Sequence, residues 1–196
     1  VASTLITLIS LRGDRDAPVT DVTISGLTFS STRPTFMQKY RVVSGGDWAI
    51  YNGGAVQASH TEGFVVELCT FRKLGGNGLV LVGANMRATF RFNEFVDIGD
   101  SAMAAIGDSA GIDGYSEPRS ANFTSVIGNF VHEIGLVGKQ VSGWCQMLAA
   151  NSLLDSNVIF NVPRAAINFN DGYGGGSVVR FNLVFSSVRE TMDHGP

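Results

Sequence analysis

The stretch Ala88-Thr89-Phe90-Arg91-Phe92-Asn93-Glu94-Phe95 decides the fold, because it recurs along the chain. It holds short alternating apolar runs on either side of one asparagine, too brief for the sustained apolar stripe of a helix. The same pattern returns at 22–29, 64–71, 124–131, 152–159 and 177–184. Aligned, one column reads Ile24, Val66, Phe90, Val126, Leu154, Val179. Three residues on comes Leu27, Cys69, Asn93, Asn129, Asn157, Asn182, and two further on Phe29, Phe71, Phe95, Val131, Ile159, Val184. The middle column has spacings of 42, 24, 36, 28 and 25, so a basic turn of about 24 residues, twice enlarged by insertion, explains all five.

Units this short cannot bury an apolar face alone, but identical columns stacked on one another make a continuous core. Four successive asparagines fit such a stack, since side-chain amides at a bend can bond along it and Asn tolerates a left-handed backbone. Gly is expected to supply the same freedom in Leu74-Gly75-Gly76-Asn77-Gly78 and Ile98-Gly99. The reading is an all-β, single-stranded parallel β-helix of about six coils with two coil insertions, forming one domain over residues 1–196. A β-sandwich would need Greek-key hairpins instead of columns in register.

Composition agrees. The chain has 24 Gly in 196 residues, and 16% of it is charged, against about 25% in an ordinary domain. At 44% hydrophobic it can fill a core, which excludes a disordered chain. A net charge of −3 offers no footprint for nucleic acid. No apolar run approaches the roughly 20 residues of a membrane span. Cys69 and Cys145 cannot build a disulfide framework; Cys69 sits in a core column and Cys145 is expected buried and free. The chain starts at Val1 without Met and stops within a polar cluster, so a domain cut from a longer chain is expected.

The chain resembles the right-handed parallel β-helix, or pectin lyase-like, superfamily that includes pectate lyases and polygalacturonases. More closely it resembles right-handed β-helix domain proteins related to β-helical glycoside hydrolases. The residues that carry this are Ser44-Gly45-Gly46-Asp47-Trp48, Asn93-Glu94-Phe95 with Ile98-Gly99-Asp100-Ser101-Ala102, Pro163-Arg164-Ala165-Ala166-Ile167-Asn168-Phe169-Asn170-Asp171-Gly172, and Val188-Arg189-Glu190-Thr191-Met192-Asp193-His194-Gly195-Pro196. The resemblance implies the fold and a carbohydrate-active role, with an extracellular or secretory-pathway location following from that substrate class. The paired-Asp and Gly-His-Gly signatures of polygalacturonases are missing, as is the Asp-Pro-His signature of alginate epimerases.

Counting from the asparagine column, a second strand begins about ten residues on. Offsets 10 and 12 point inward (Leu79 and Leu81, Met103 and Ala105, Ile167 and Phe169), and offset 11 outward: Val80, Ala104, Gln140, Asn168, Asp193. Lys139 at offset 10 breaks the pattern, which allows a register slip there. Offset 7 reads Gly76, Asp100, Leu136, Arg164, Arg189. The outward face thus turns polar in the late coils, where Arg164, Asn168, Asn170, Asp171, Arg189, Glu190, Asp193 and His194 gather with Lys139 and Gln140 behind them.

These residue types suit sugar recognition: amides and carboxylates for hydroxyls, arginine for carboxylates. Tyr173, Trp144 and the Asp47-Trp48 loop are candidates to contact a sugar. Coils lie about 4.8 Å apart, so carboxylates on adjacent coils approach the ~5–5.5 Å of a retaining glycosidase, and two coils apart the ~6.5–9.5 Å of an inverting one. Asp171 with Glu190, or with Asp193, is the candidate catalytic pair. Substrate would be held by Arg164, Asn168, Asn170, Arg189, His194, Lys139 and Gln140. Two other readings stay open: a lyase using Lys139, Arg164 or Arg189 as base or uronate neutraliser, and a non-catalytic carbohydrate-binding solenoid. His60 and His132 are read as surface residues. No cofactor is expected; scattered carboxylates are compatible with calcium, but no acidic cluster asks for it. A carbohydrate partner and a monomer complete the expectation.

Overall fold

The computed structural model describes residues 3–43, 48–108, 120–170 and 174–191. Six coils each lend a strand to three sheets. The first face stacks Ile9–Arg12, Val56–Glu62, Leu79–Met86, Met103–Ile106, Ser142–Met147 and Ala165–Asn170. The second stacks Thr23–Ser25, Val65–Glu67, Thr89–Arg91, Ser125–Ile127, Leu153–Asp155 and Val178–Arg180. The third stacks Thr28–Ser30, Thr70–Leu74, Glu94–Ile98, Phe130–Ile134, Val158–Phe160 and Leu183–Phe185. Pairing between coils is parallel on all three faces, and the result is a right-handed parallel β-helix: the stack that the columns predict, with the hand that the resemblance implies. The hairpin Arg41–Val42 with Ala49–Ile50 is antiparallel.

The aligned columns are the interior. Val66, Phe90, Val126 and Leu154 pair in register on the second face, and Phe71, Phe95, Val131 and Ile159 on the third. All are buried in one cluster with Leu79, Leu81 and Met103. The rings of Phe29, Phe71 and Phe95 stack at successive centroid distances of 4.8 and 4.6 Å.

Between those faces runs the asparagine ladder. Asn129 Oδ1 accepts from both the backbone N and the Nδ2 of Asn93, at 3.1 and 3.0 Å. Asn157 Oδ1 does the same for Asn129, at 2.9 and 3.0 Å, and Asn182 Oδ1 for Asn157, at 2.9 and 2.8 Å. Each Nδ2 also donates to a carbonyl of the coil before: Val66, Phe90, Val126 and Leu154. Cys69 holds the rung below, its N donating to Asn93 Oδ1 and its sulfur accepting from the Leu27 N.

The left-handed backbone sits elsewhere than expected. It belongs to the residue before each rung: Gly26, Leu68, Phe92, Gly128, Ser156 and Phe181, with φ between 54° and 69°. Two more columns repeat it with the same spacing, Asp21, Gly63, Arg87, Phe123, Asn151, Gly176 and Ser31, Lys73, Asp97, Glu133, Asn161, Ser186. Most of these are not glycine, so the ladder bonds and the strand pairing hold side chains in a conformation that costs ~1–2 kcal/mol per residue.

Gly75 and Gly99, in contrast, answer to space. A Cβ on Gly99 would lie 2.5 Å from the Gly75 carbonyl oxygen, and one on Gly75 2.3 Å from the Pro34 N. Backbone thus stacks on backbone at the corner between the third and first faces. Gly99→Ala is expected to cost about 1–3 kcal/mol through this overpacking, read as a lowered midpoint in denaturant unfolding.

A second apolar layer lies outside the first face. Val80, Val82, Ala104, Ile106, Cys145 and Met147 point outward yet are buried, because Val43, Trp48 and Ile50 of an excursion over residues 33–54 cover them. Both cysteines are buried and free. Burial pushes the Cys145 thiol up to about 12, against weaker opposing bonds to Ser142 and Asn168. Since the thiolate is the nucleophile, neither cysteine is expected to react with iodoacetamide at pH 8 until the chain is denatured, when mass spectrometry should show two adducts. A fast-reacting native thiol would contradict this packing.

Candidate functional site

The corner where the third face turns into the first is where extra sequence projects. Its second and third coils are tight (Gly76-Asn77-Gly78 and Asp100-Ser101-Ala102), the excursion 33–54 leaves it below, and a loop at 135–141 leaves it above. Hydrogen bonds fix the column: Asp100 N reaches the Gly76 O, Gly135 N the Asp100 O, and Val188 N the Arg164 O. A side-chain ladder supports it, Ser101 N bonding Asn77 Oδ1 at 3.0 Å and Ser142 N bonding Ser101 Oγ at 3.1 Å.

Several expected site residues meet here. Lys139 Nζ lies 2.8 Å from Glu190 Oε2 and donates to the Gly135 carbonyl at 2.8 Å. The Glu190 side chain is 52% exposed, so this pair stands at the surface of the corner. The backbone N of Glu190 donates to the Pro163 O, which places it one coil past Arg164. The Arg164 guanidinium lies over the Trp48 ring, 4.4 Å from its centroid. Arg164 is buried and Arg189, one coil on, is exposed.

Asn168 and Asn170 point outward from Ala165–Asn170, paired with Cys145 and Met147 below. Asn168 is half-buried with its Nδ2 near the Cys145 sulfur, and Asn170 is buried. The outward column of the first face therefore reads Gln57, Val80, Ala104, Cys145, Asn168, polar at both ends. Gln140 does not belong to it. Five added residues at the 135–141 corner carry the count forward, so Trp144 takes the inward place and Cys145 the outward one. Gln140 lies in the corner loop, its Oε1 accepting from the Ala49 N at 3.3 Å.

The aromatic expectations change for the same reason. Trp144 is fully buried in the main core, its indole N–H directed at Gln146 Oε1, and cannot face a sugar. Trp48 is 4% exposed, an anchor for the covering layer beneath Arg164, so its ring is not offered to a ligand. His132 is half-buried, its ring parallel to Phe160 at 5.1 Å and its Nε2 3.8 Å from Glu94. His60 is half-buried, with Nδ1 2.9 Å from Ser59 Oγ. Asp47, Asp171, Tyr173, Asp193 and His194 lie outside the described residues.

One residue at this corner escaped the sequence reading. In the sequence Asp100 stands in the offset-7 column with Arg164 and Arg189 and in the stretch Ile98-Gly99-Asp100-Ser101-Ala102, with no site role assigned to it. It is buried, and its Oδ2 accepts from Thr35 Oγ1 at 2.7 Å and from Tyr40 Oη at 2.6 Å, which ties the excursion to the corner. Among the described residues no group of three or more His, Cys, Asp or Glu side chains gathers as a metal site would require. Likewise among them, no helix is long and apolar enough to cross a membrane.

Fold and corner together define a parallel β-helix whose loops wall a cleft beside the first face. A solved structure described as a glycoside hydrolase shares this architecture, with a TM-score of 0.77 and 17% identity over 97% of the chain. The chain spans 38% of the length of that structure. No family description matches the chain, and no curated protein does.

Proposed function

We propose that this is a carbohydrate-active domain of glycoside hydrolase type, acting on a polysaccharide or oligosaccharide through paired carboxylates on the late coils. Glu190 is one member and Asp171 the other, with Asp193 the alternate; Arg189, Asn168 and Asn170 contribute donors and acceptors for substrate hydroxyls. The observation that carries the reading is the exposed Glu190 carboxylate, held by Lys139 at 2.8 Å on the corner that the inserted loops enclose. The likeness to a glycoside hydrolase supports the scaffold. An extracellular or secretory-pathway location and a monomer accord with it.

The lyase reading is weaker at Lys139. Its ammonium is engaged by Glu190 and by the Gly135 carbonyl, whereas a base must present a free lone pair to the proton it takes. The test is to replace Asp171 with Asn and Glu190 with Gln separately and to analyse products from a glycan panel by mass. Loss of hydrolysis in both, with unfolding unchanged, supports the pair. Ultraviolet-absorbing unsaturated uronates would assign a lyase, and glycan binding without product, insensitive to both changes, a binding solenoid. Unchanged hydrolysis in either variant rejects that carboxylate's role.

A further inference from the structure

We propose that the pocket between the 33–54 excursion and the 135–141 loop is a binding subsite for one uncharged sugar unit, with Asp100 as the acceptor at its floor. This rests on the carbohydrate reading above and names the kind of unit that this corner takes.

The pocket encloses about 200 Å³. A cavity of about 150 Å³ takes benzene, so one pyranose ring fits. Ala49, Ile50 and Val141 give it apolar walls, while Asp100, Lys139 and Gln140 supply polar groups. This is the usual division of labour in a ligand site, where apolar lining excludes water and a few polar atoms fix orientation.

Asp100 is the unusual feature. Its Oδ2 is bonded by the hydroxyls of Thr35 and Tyr40. Its Oδ1 is equally buried and has no hydrogen-bond partner among the described residues. A buried carboxylate oxygen left unbonded is costly and is normally satisfied. Gly138, which also lines the pocket, packs close against it: a Cβ there would lie 2.3 Å from Oδ1. Burial and the Asp100 bond raise the Tyr40 hydroxyl well above the ordinary phenol range, so Tyr40 stays a donor to Oδ2 and leaves Oδ1 as the acceptor.

What completes Oδ1 must therefore donate. Lys139, the other charged residue lining the pocket, directs its ammonium to Glu190 and Gly135. Among the described residues the hydrogen bonds to the Asp100 carboxylate come from hydroxyls. A uronate placed here would meet like charge, whereas the hydroxyl of a neutral sugar gains a charge-assisted bond.

The experiment measures binding of neutral β-linked xylo-, gluco- and galacto-oligosaccharides, and of oligogalacturonate, to the whole chain by ligand-observed NMR and calorimetry. Asp100→Asn keeps an oxygen for Thr35 and Tyr40 but turns the free acceptor into an amide donor. Gly138→Ala sets a methyl against Oδ1 and must displace it, and it decides the matter if the first variant does not fold. At least one neutral oligosaccharide should bind, and each folded variant should weaken it about tenfold or more, in Kd or in KM with kcat held. Absence of neutral binding, binding in a folded variant within twofold of the parent, or tighter binding of oligogalacturonate would overturn the subsite. Glu190→Gln run in parallel separates the two ideas. Turnover lost there with KM unchanged in Asp100→Asn overturns the subsite and leaves the hydrolase reading. Binding that needs Asp100, on a chain that never yields product, leaves the subsite and overturns the hydrolase.

Discussion

Glu190→Gln is expected to lower turnover by at least about 10²–10⁴-fold, the range supplied by a positioned acid or base, and further if Glu190 is the nucleophile. The change preserves volume and leaves an amide that can still accept from Lys139, so little else should move. The ion pair is surface-exposed on both sides, and such pairs contribute about 0–1 kcal/mol to folding. Thermal unfolding should therefore shift by no more than about 4 °C, on the scaling of ~2–4 °C per kcal/mol for a chain of this size. Asp171→Asn should match it in turnover. A large fall in unfolding temperature with modest loss of activity would instead mark Glu190 as a brace for the 135–141 loop.

Asn129→Ala should be among the most destabilising single changes to the scaffold, by about 3–5 kcal/mol. The buried side chain accepts two bonds from Asn93 and donates to the Phe90 carbonyl and to Asn157 Oδ1. Alanine removes all four and leaves the partners buried without replacements, at ~1–3 kcal/mol for each group left unsatisfied. Water entering the space would recover part of that sum. Asn129→Asp is a sharper control: it keeps the acceptor but aims a buried carboxylate oxygen at the Phe90 carbonyl and at Asn157 Oδ1, so its denaturant midpoint should fall at least as far as that of alanine. An alanine variant within about 1 kcal/mol of the parent would show that strand pairing, not the ladder, sets the stability of this corner.

The columns were legible because a solenoid repeats its chemistry in sequence. Phe90 and Phe95 flank Asn93 at the same offsets as Val126 and Val131 flank Asn129, and both pairs proved to be stacked interior. What could not be read was set by contacts across many residues. The role of Asp100 depends on Thr35 and Tyr40, 65 and 60 positions away, and those lie in an insertion that no column describes. Trp48 read as a loop aromatic because nothing local says that the excursion folds back over the first face. A signal was present in Leu79-Val80-Leu81-Val82 and Met103-Ala104-Ala105-Ile106, apolar without alternation, as strands buried on both sides are. Counting from Asn129 puts Gln140 on the sheet, and five added residues at the corner defeat that count. For Asp171, Asp193 and His194 the reading rests on residue type, coil counting and the resemblance.

The fixed pairing distance between coils has a wider consequence. Strand pairing sets the rise per coil at about 4.8 Å whether the coil holds 24 residues or 42. Added sequence cannot lengthen the axis; it can only be pushed out sideways. Where two outgrowths leave the same corner at different heights, as 33–54 and 135–141 do, they must overhang the coils between them and roof a space. Recognition then becomes a matter of loop length and composition, adjustable without disturbing a single rung, and the barrel inside serves as a ruler against which such loops are set.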